Sequence, residues 1–197
     1  MDRQGKIARK TRETNIEVKI SLDGKGIFDI NTGIGFFNHM LETVSKHAGI
    51  DIILYGSGDI NVDFHHLVED SGIAFGMALK EALGDKKGIN RFGYAVIPLD
   101  EALVLCSIDI SGRSFYKSNF VEFPGSAGGF DVELADVFFN GFASMGYTLH
   151  FVVLRGENKH HIMESAFKSF AKSLRMAIDI DERMKENLPT TKDFIQS

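Results

Sequence analysis

Two short runs in this chain share one pattern. His65-His66-Leu67-Val68-Glu69 and His160-His161-Ile162-Met163-Glu164 each set two adjacent histidines ahead of a glutamate one helical turn on. Of the seven histidines in the chain, four stand in these two runs. On a helix, residues three and four apart share a face, so each glutamate lies beside both of its histidines. Adjacent residues diverge by about 100°, so the two imidazoles of a pair do not close on one ion in the same way. The simpler arrangement gives each histidine its own metal. Imidazole and carboxylate without thiolate suit Mn, Fe, Zn or Ni and argue against a closed zinc–thiolate site. One such pair alone reads equally well as a solvated helix start. The repeat, with the same glutamate offset, is what points to two ions in related environments.

The elements that must position these ligands are also duplicated. Phe36-Phe37-Asn38 and Phe138-Phe139-Asn140 each open an amphipathic stretch, followed by a glycine (Gly49, Gly146), an apolar strand and the histidine-bearing helix. The strands are expected over 50–55 and 147–154, with breaks at Gly56-Ser57-Gly58 and Gly156-Glu157-Asn158. The closing helices are expected over about 65–83 and 160–178, where Ile73, Met77 and Ala78, and Phe167, Phe170, Ala171 and Leu174, follow a helical period. Gly84 is a suitable stop for the first. Asn15 to Ile20 alternates apolar and polar residues, turns at Asp23-Gly24 and returns through Ile27 to Ile30, and a further β region from Tyr94 to Phe120 joins the repeats. The expectation is one domain, 1–197, of two pseudo-repeats at about 9–90 and 91–190. Its class is α+β: two similar halves (an internal duplication), each a small mostly antiparallel sheet with two helices packed on one face. A pseudo-twofold between the halves would bring the two histidine-rich helix starts together, as a dinuclear site needs.

Composition bounds the rest. The chain has 197 residues, 44% hydrophobic and 25% charged, enough for one substantial core. A net charge of −5 leaves no basic footprint for nucleic acid. No apolar run reaches the roughly 18 residues a membrane span requires, and Met1 to Lys6 lack the apolar stretch of a signal peptide. A cytoplasmic protein is expected. The one cysteine, Cys106, sits in the apolar run Ala102 to Cys106 and reads as a buried small hydrophobe.

Four segments carry a family likeness: Thr32-Gly33-Ile34-Gly35-Phe36-Phe37-Asn38-His39-Met40-Leu41, Asp63-Phe64-His65-His66 through Ser71-Gly72-Ile73-Ala74, Asp109-Ile110-Ser111-Gly112-Arg113, and Asn158-Lys159-His160-His161 through Glu164-Ser165-Ala166-Phe167-Lys168. Together they resemble the imidazoleglycerol-phosphate dehydratase family, and the likeness runs from about Arg9 to Lys192. The resemblance implies a ribosomal protein S5 domain 2-like fold. It implies a hydro-lyase of histidine biosynthesis that converts imidazole glycerol phosphate to imidazole acetol phosphate and water, through a metal-bound imidazolate at a dinuclear Mn2+ site. By position, one ion takes His39, His66, His160 and Glu164, and the other takes His65, Glu69, His161 and one further ligand. The family has His or Glu just ahead of the Phe-Phe of the later helix. Aligned on Phe-Phe, that position is Val137; counted back from His160 it is Asp136, and Asp136 is the reading adopted here.

The reaction removes a proton from a carbon with no adjacent carbonyl, so Lewis acids and a template fit its logic, and a carboxylate or histidine must move the proton. By resemblance Glu13 is the acid/base candidate, with His47, Glu69 and Glu164 beside it, while His39, His47 and Lys168 line the substrate. Arg91 and Arg113 stand in glycine-flanked loops and offer planar forks suited to phosphate oxygens. The resemblance adds Thr190, Thr191 and Lys192 to that phosphate set, with Asp193 where the family commonly has Gly. It further implies a homo-24-mer of octahedral symmetry built from trimers, with active sites shared between subunits. Two readings from other classes compete. A metal-storage or metal-scaffolded assembly would need the ligands but not Glu13, Arg91, Arg113 or Lys192. A dinuclear phosphohydrolase would favour more aspartates and release phosphate.

Overall fold

The structure is a computed structural model that describes residues 3–192 and 194–195, so Asp193 lies outside the described residues. The first half comprises β1 (Gln4–Lys10), β2 (Thr14–Ser21), β3 (Phe28–Asn31), α1 (Gly35–Ala48), β4 (Asp51–Gly58) and α2 (His65–Leu83). The second comprises β5 (Phe92–Leu99), β6 (Ala102–Asp109), β7 (Phe115–Lys117), two short strands β8 (Ser126–Ala127) and β9 (Phe130–Asp131), α3 (Val132–Ala143), β10 (Thr148–Arg155) and α4 (Lys159–Ile178). The first sheet has the order β1-β2-β4-β3 and the second β5-β6-β10-β7. In each, the first two pairings are antiparallel and the last is parallel. The α+β class and the duplication therefore both stand.

Strand β2 shows how the pattern makes the sheet. Thr14, Ile16, Val18 and Ile20 point inward and the residues between them outward, as the two-residue period of a pleat requires. Strand β6 does the same with Ala102, Val104, Cys106 and Ile108, so Cys106 is a buried core residue whose thiol burial pushes upward in pKa. Helix α1 ends at Gly49, whose φ of +69° makes the left-handed cap that glycine tolerates.

Three local expectations are corrected. The segment Ile27 to Ile30 does not return as a hairpin on Asn15 to Ile20; β4 lies between β2 and β3, and β3 pairs with it in parallel. The partner of β2 is instead β1, a strand whose weak alternation hid it. Gly56-Ser57-Gly58 continues β4 rather than ending it. The Phe-Phe-Asn triplets are not equivalent landmarks either: the first opens α1, while the second lies in the later half of α3.

The helices lie between the sheets, α2 packing chiefly on α3 and α1 on α4. Glycine makes the first of these contacts possible. A methyl built on Gly72 would overlap the Phe138 carbonyl oxygen, and one built on Gly141 would lie 2.7 Å from the Glu69 carbonyl oxygen. The two backbones meet where neither carries a side chain. Two strand glycines act alike, Gly5 seating β1 on the Ala78 carbonyl of α2 and Gly93 seating β5 on the Ser173 carbonyl of α4.

A Gly72→Ala substitution is therefore expected to destabilise the fold by about 1–3 kcal/mol, the usual range for overpacking. Gly35→Ala, at the start of α1 with nothing within 4 Å of the added carbon, is expected to be neutral or slightly stabilising. Urea unfolding of both variants beside the parent checks this, and equal midpoints for the two would refute the close-crossing argument.

Candidate metal centre and anion cavity

Both histidine pairs occupy the first turn of a helix, and local chemistry fixes each. At α4, the Asn158 side chain accepts from the backbone N–H groups of His160 at 2.9 Å and His161 at 3.4 Å. This is the cap that a free helix start requires. Glu101, at the turn between β5 and β6, then accepts from the N–H of Asn158 at 2.8 Å and of Glu157 at 3.2 Å. Its other oxygen lies 2.8 Å from Nδ1 of His161. The His161 contact, with the backbone N–H groups behind it, holds the Glu101 carboxyl down at about 2, and the same contact raises the His161 ring above its ordinary value. At α2, Asp63 accepts from the His65 N–H at 2.8 Å. Asp59 lies 3.0 Å from Nδ1 of His66 and, ahead of the nearby Glu13, raises that ring. In each pair the second histidine sets Nδ1 against a carboxylate, and at His161 Nε2 also lies 3.8 Å from Asp100. A carboxylate on Nδ1 is the usual support of a metal-ligating histidine.

Three ligand atoms converge within the chain. His39 of α1 and His160 and Glu164 of α4 offer donors that all lie within 4.8 Å of one another. His160 Nε2 is 3.0 Å from the Glu164 carboxylate, whose other oxygen is 2.8 Å from Lys168 Nζ. Burial alone would raise Glu164, but the Lys168 ammonium, with His160 and His39, holds its carboxyl below the usual range. His47, two turns along α1 from His39, is driven down first by burial and then by Lys168 and Lys172.

The remaining candidates sit apart from this cluster. His65, His66 and Glu69 share the start of α2. The Glu13 carboxylate stands 4.0 Å from His66 Nδ1, so Glu13 belongs to that neighbourhood. Asp136, in α3, accepts from the Tyr116 hydroxyl at 2.5 Å and from Ser118. Among the described residues, His39, His160 and Glu164 form the one group of three such ligands. Within the chain that group takes no ligand from the α2 start, and α2 packs on α3 while α4 packs on α1.

A second concave site gathers the cationic candidates. Arg91, Ser111, Arg113, Thr190, Thr191 and Lys192 line one open cavity of about 680 Å³. Asp109 orders its floor, accepting from Arg91 at 2.7 and 3.2 Å and from Arg113 at 3.4 Å. Arg91 also donates to the Pro189 carbonyl at 2.9 Å, tying the C-terminal segment to the sheet, and holds a left-handed φ of +70°. Two arginines around one carboxylate leave an excess of positive charge and free guanidinium donors, which suits a phosphate. Sequence reasoning missed Asp109, Asp59 and the role of Glu101. Glu101 stands 60 positions from His161 and Asp109 stands 18 from Arg91, so only the fold brings these pairs near, whereas Asp59 lies within seven residues of His66 and was open to a local reading.

The family model described as imidazoleglycerol-phosphate dehydratase matches residues 32–174. The imidazoleglycerol-phosphate dehydratase of Hydrogenovibrio crunogenus is 51% identical over 193 residues, covering 96% of this chain and 98% of that one. The Clostridium kluyveri protein of the same name is 51% identical over 189 residues, covering 95% and 97%. Among solved structures, the Pyrococcus furiosus protein aligns with a TM-score of 0.80 at 36% identity, covering 96% of this chain and all of that one. The Staphylococcus aureus dehydratase aligns with a TM-score of 0.78 at 35% identity over 90% of this chain and 99% of that one.

The depressed His47 sets a pH test. A histidine whose folded pKa lies below its unfolded value of about 6.5 adds stability above that value and loses it as pH falls through the folded one. The His47 ring in metal-free protein is expected to titrate below 6.5 by NMR. Lys168→Met should raise that midpoint in part, since burial is the larger cause. A midpoint at or above 6.5 would show the ring to be solvated.

Proposed function

The chain belongs to the imidazoleglycerol-phosphate dehydratase family, and from that membership we propose that its histidine-bearing helix starts and its arginine-lined cavity serve one reaction. That reaction is the dehydration of imidazole glycerol phosphate to imidazole acetol phosphate in histidine biosynthesis. One observation carries the reading beyond kinship: the chain holds a nitrogen-and-carboxylate donor set and a separate cationic cavity. A substrate with an imidazole at one end and a phosphate at the other needs both.

The donor set fits the proposed metal. Two imidazoles and a carboxylate, with no sulfur, accommodate Mn2+ as they do Fe, Zn or Ni, and the family membership selects Mn2+ among them. The residues that would hold two ions are His39, His66, His160 and Glu164 for one, and His65, Glu69 and His161 for the other. When bound, the ions supply Lewis-acid polarisation of the imidazole and a template for its orientation. The chain's own groups do the rest. Arg91, Arg113 and Lys192, with the Thr190 and Thr191 hydroxyls, hold the phosphate. Glu13, exposed beside His66, is suited to moving the carbon-bound proton. Lys168 fixes Glu164 by its ion pair, and a His47 kept neutral by its surroundings can line the substrate as a hydrogen-bond partner.

The separation of the two ligand groups supports a centre completed by a second copy of the chain, in a homo-24-mer built from trimers. The outer face of the second sheet adds to this reading. Phe92, Tyr94 and Leu154 are 56%, 66% and 51% exposed there, a patch of the kind that marks association. Among the described residues no helix is long and apolar enough to cross a membrane, and a cytoplasmic location remains part of the proposal.

Chelator-treated protein is expected to make no ketone product and to recover on addition of Mn2+, without release of free phosphate. Phosphate release instead would favour the dinuclear phosphohydrolase. Arg113→Ala should raise KM for the phosphate substrate roughly tenfold or more, the size of one lost charged hydrogen bond. An unchanged KM would take Arg113 out of the site. Metal-stripped protein should sediment as smaller species, and identical sedimentation with and without metal would remove the shared-site assembly.

A further inference from the structure

The duplication allows each half of the molecule to be compared with the other. Helix α1 packs on α4 and brings His39 to His160 and Glu164. The corresponding contact sets α3 on α2, so α3 is the element that would complete His65 and Glu69. Among the described residues it brings no third ligand atom to them. The face of α3 that meets α2 is marked by Gly141, against the Glu69 carbonyl, and by the Phe138 carbonyl, against Gly72. One turn before Gly141, on that same face, stands Val137, a half-buried apolar residue packed against the core. The neighbouring carboxylate, Asp136, projects about 100° away around the helix. There it is engaged by the hydroxyls of Tyr116, at 2.5 Å, and Ser118. Turning it toward α2 would take it from both donors, one of them on a half-buried tyrosine.

We infer that the two ions of the proposed centre are held unequally in this chain, the ion at the α4 start tightly and the ion at the α2 start weakly, because Val137 stands where the duplicated architecture calls for a ligand. The inference rests on the dinuclear reading above. The α4 half-site keeps three ligands from its own subunit and the α2 half-site two, His65 and Glu69. Loss of a supporting group around a metal costs 10–100-fold in affinity, and loss of a ligand itself costs at least as much.

Titration of Mn2+ alone into chelator-treated full-length protein, with free ion read by its EPR signal, tests this. About one ion per chain is expected to bind tightly and a second at least tenfold more weakly. Val137→His should convert the count to two tight ions per chain. His160→Ala should remove the tight ion, whereas His65→Ala should leave it. Two equally tight ions in the parent would overturn the inference and leave the dinuclear reading standing, and so would loss of the tight ion in His65→Ala but not in His160→Ala. A Val137→His protein that folds with the parent's circular dichroism yet still holds one tight ion would overturn it as well. No tight ion in the parent would overturn the metal reading itself, and the inference with it.

Discussion

Backbone-to-backbone contact between helices is the constraint on which this structure depends. Two sheets can share one helical layer only if the helices of opposite halves approach closely. At the α2–α3 crossing Gly72 and Gly141 remove the side chains that would prevent it. Gly5 and Gly93 seat α2 and α4 on their own edge strands in the same way. The four contacts fix the height and rotation of the two helices that begin with histidine pairs. A ligand held on a rigid helix start loses little entropy when an ion binds, so the packing of the core sets the quality of the site.

The histidine pairs then face a local conflict. A helix N-terminus carries partial positive charge and disfavours a protonated imidazole. Glu101 and Asp59 resolve it by binding Nδ1 of His161 and His66. Each carboxylate fixes its ring and makes the remaining nitrogen more basic, which strengthens it as a ligand. The same contact favours the proton, and both rings are raised above their ordinary value. On the opposite side Lys168 pairs with Glu164 at 2.8 Å.

Much of this was legible in the sequence because it is local. The offset between a histidine pair and its glutamate survives any packing of the helix, and so does the two-residue alternation of β2 and β6. The class and the duplication followed from those periods. What was not legible depends on distant residues. β3 joins β4 in parallel across α1, and no turn chemistry at Asp23-Gly24 announces that. Glu101 reaches His161 across 60 positions, and Asp109 reaches Arg91 across 18. The split of the ligands also escaped, because composition shows that two groups exist but not which helix each packs against.

The two halves differ most between β7 and α3, and that difference bears on the site. In the first half, residues 32–34 lead directly from β3 into α1. In the second, a short 3-10 turn (Phe120–Glu122) and the β8–β9 pair are inserted. This insertion folds back over the first half. Phe130 lies 5.6 Å from Phe36 and 5.7 Å from Phe37 between ring centres, and Gly125 passes along the Lys159 stem at the start of α4. Phe36 in turn meets the His160 ring edge-on at 5.2 Å. The insertion therefore supports the wall behind the His39, His160 and Glu164 cluster. An aromatic wall on one side limits the orientations open to the His160 ring. The cluster of three donor side chains is thus also the one with added support, so the two repeats differ in donor grouping and in surroundings together.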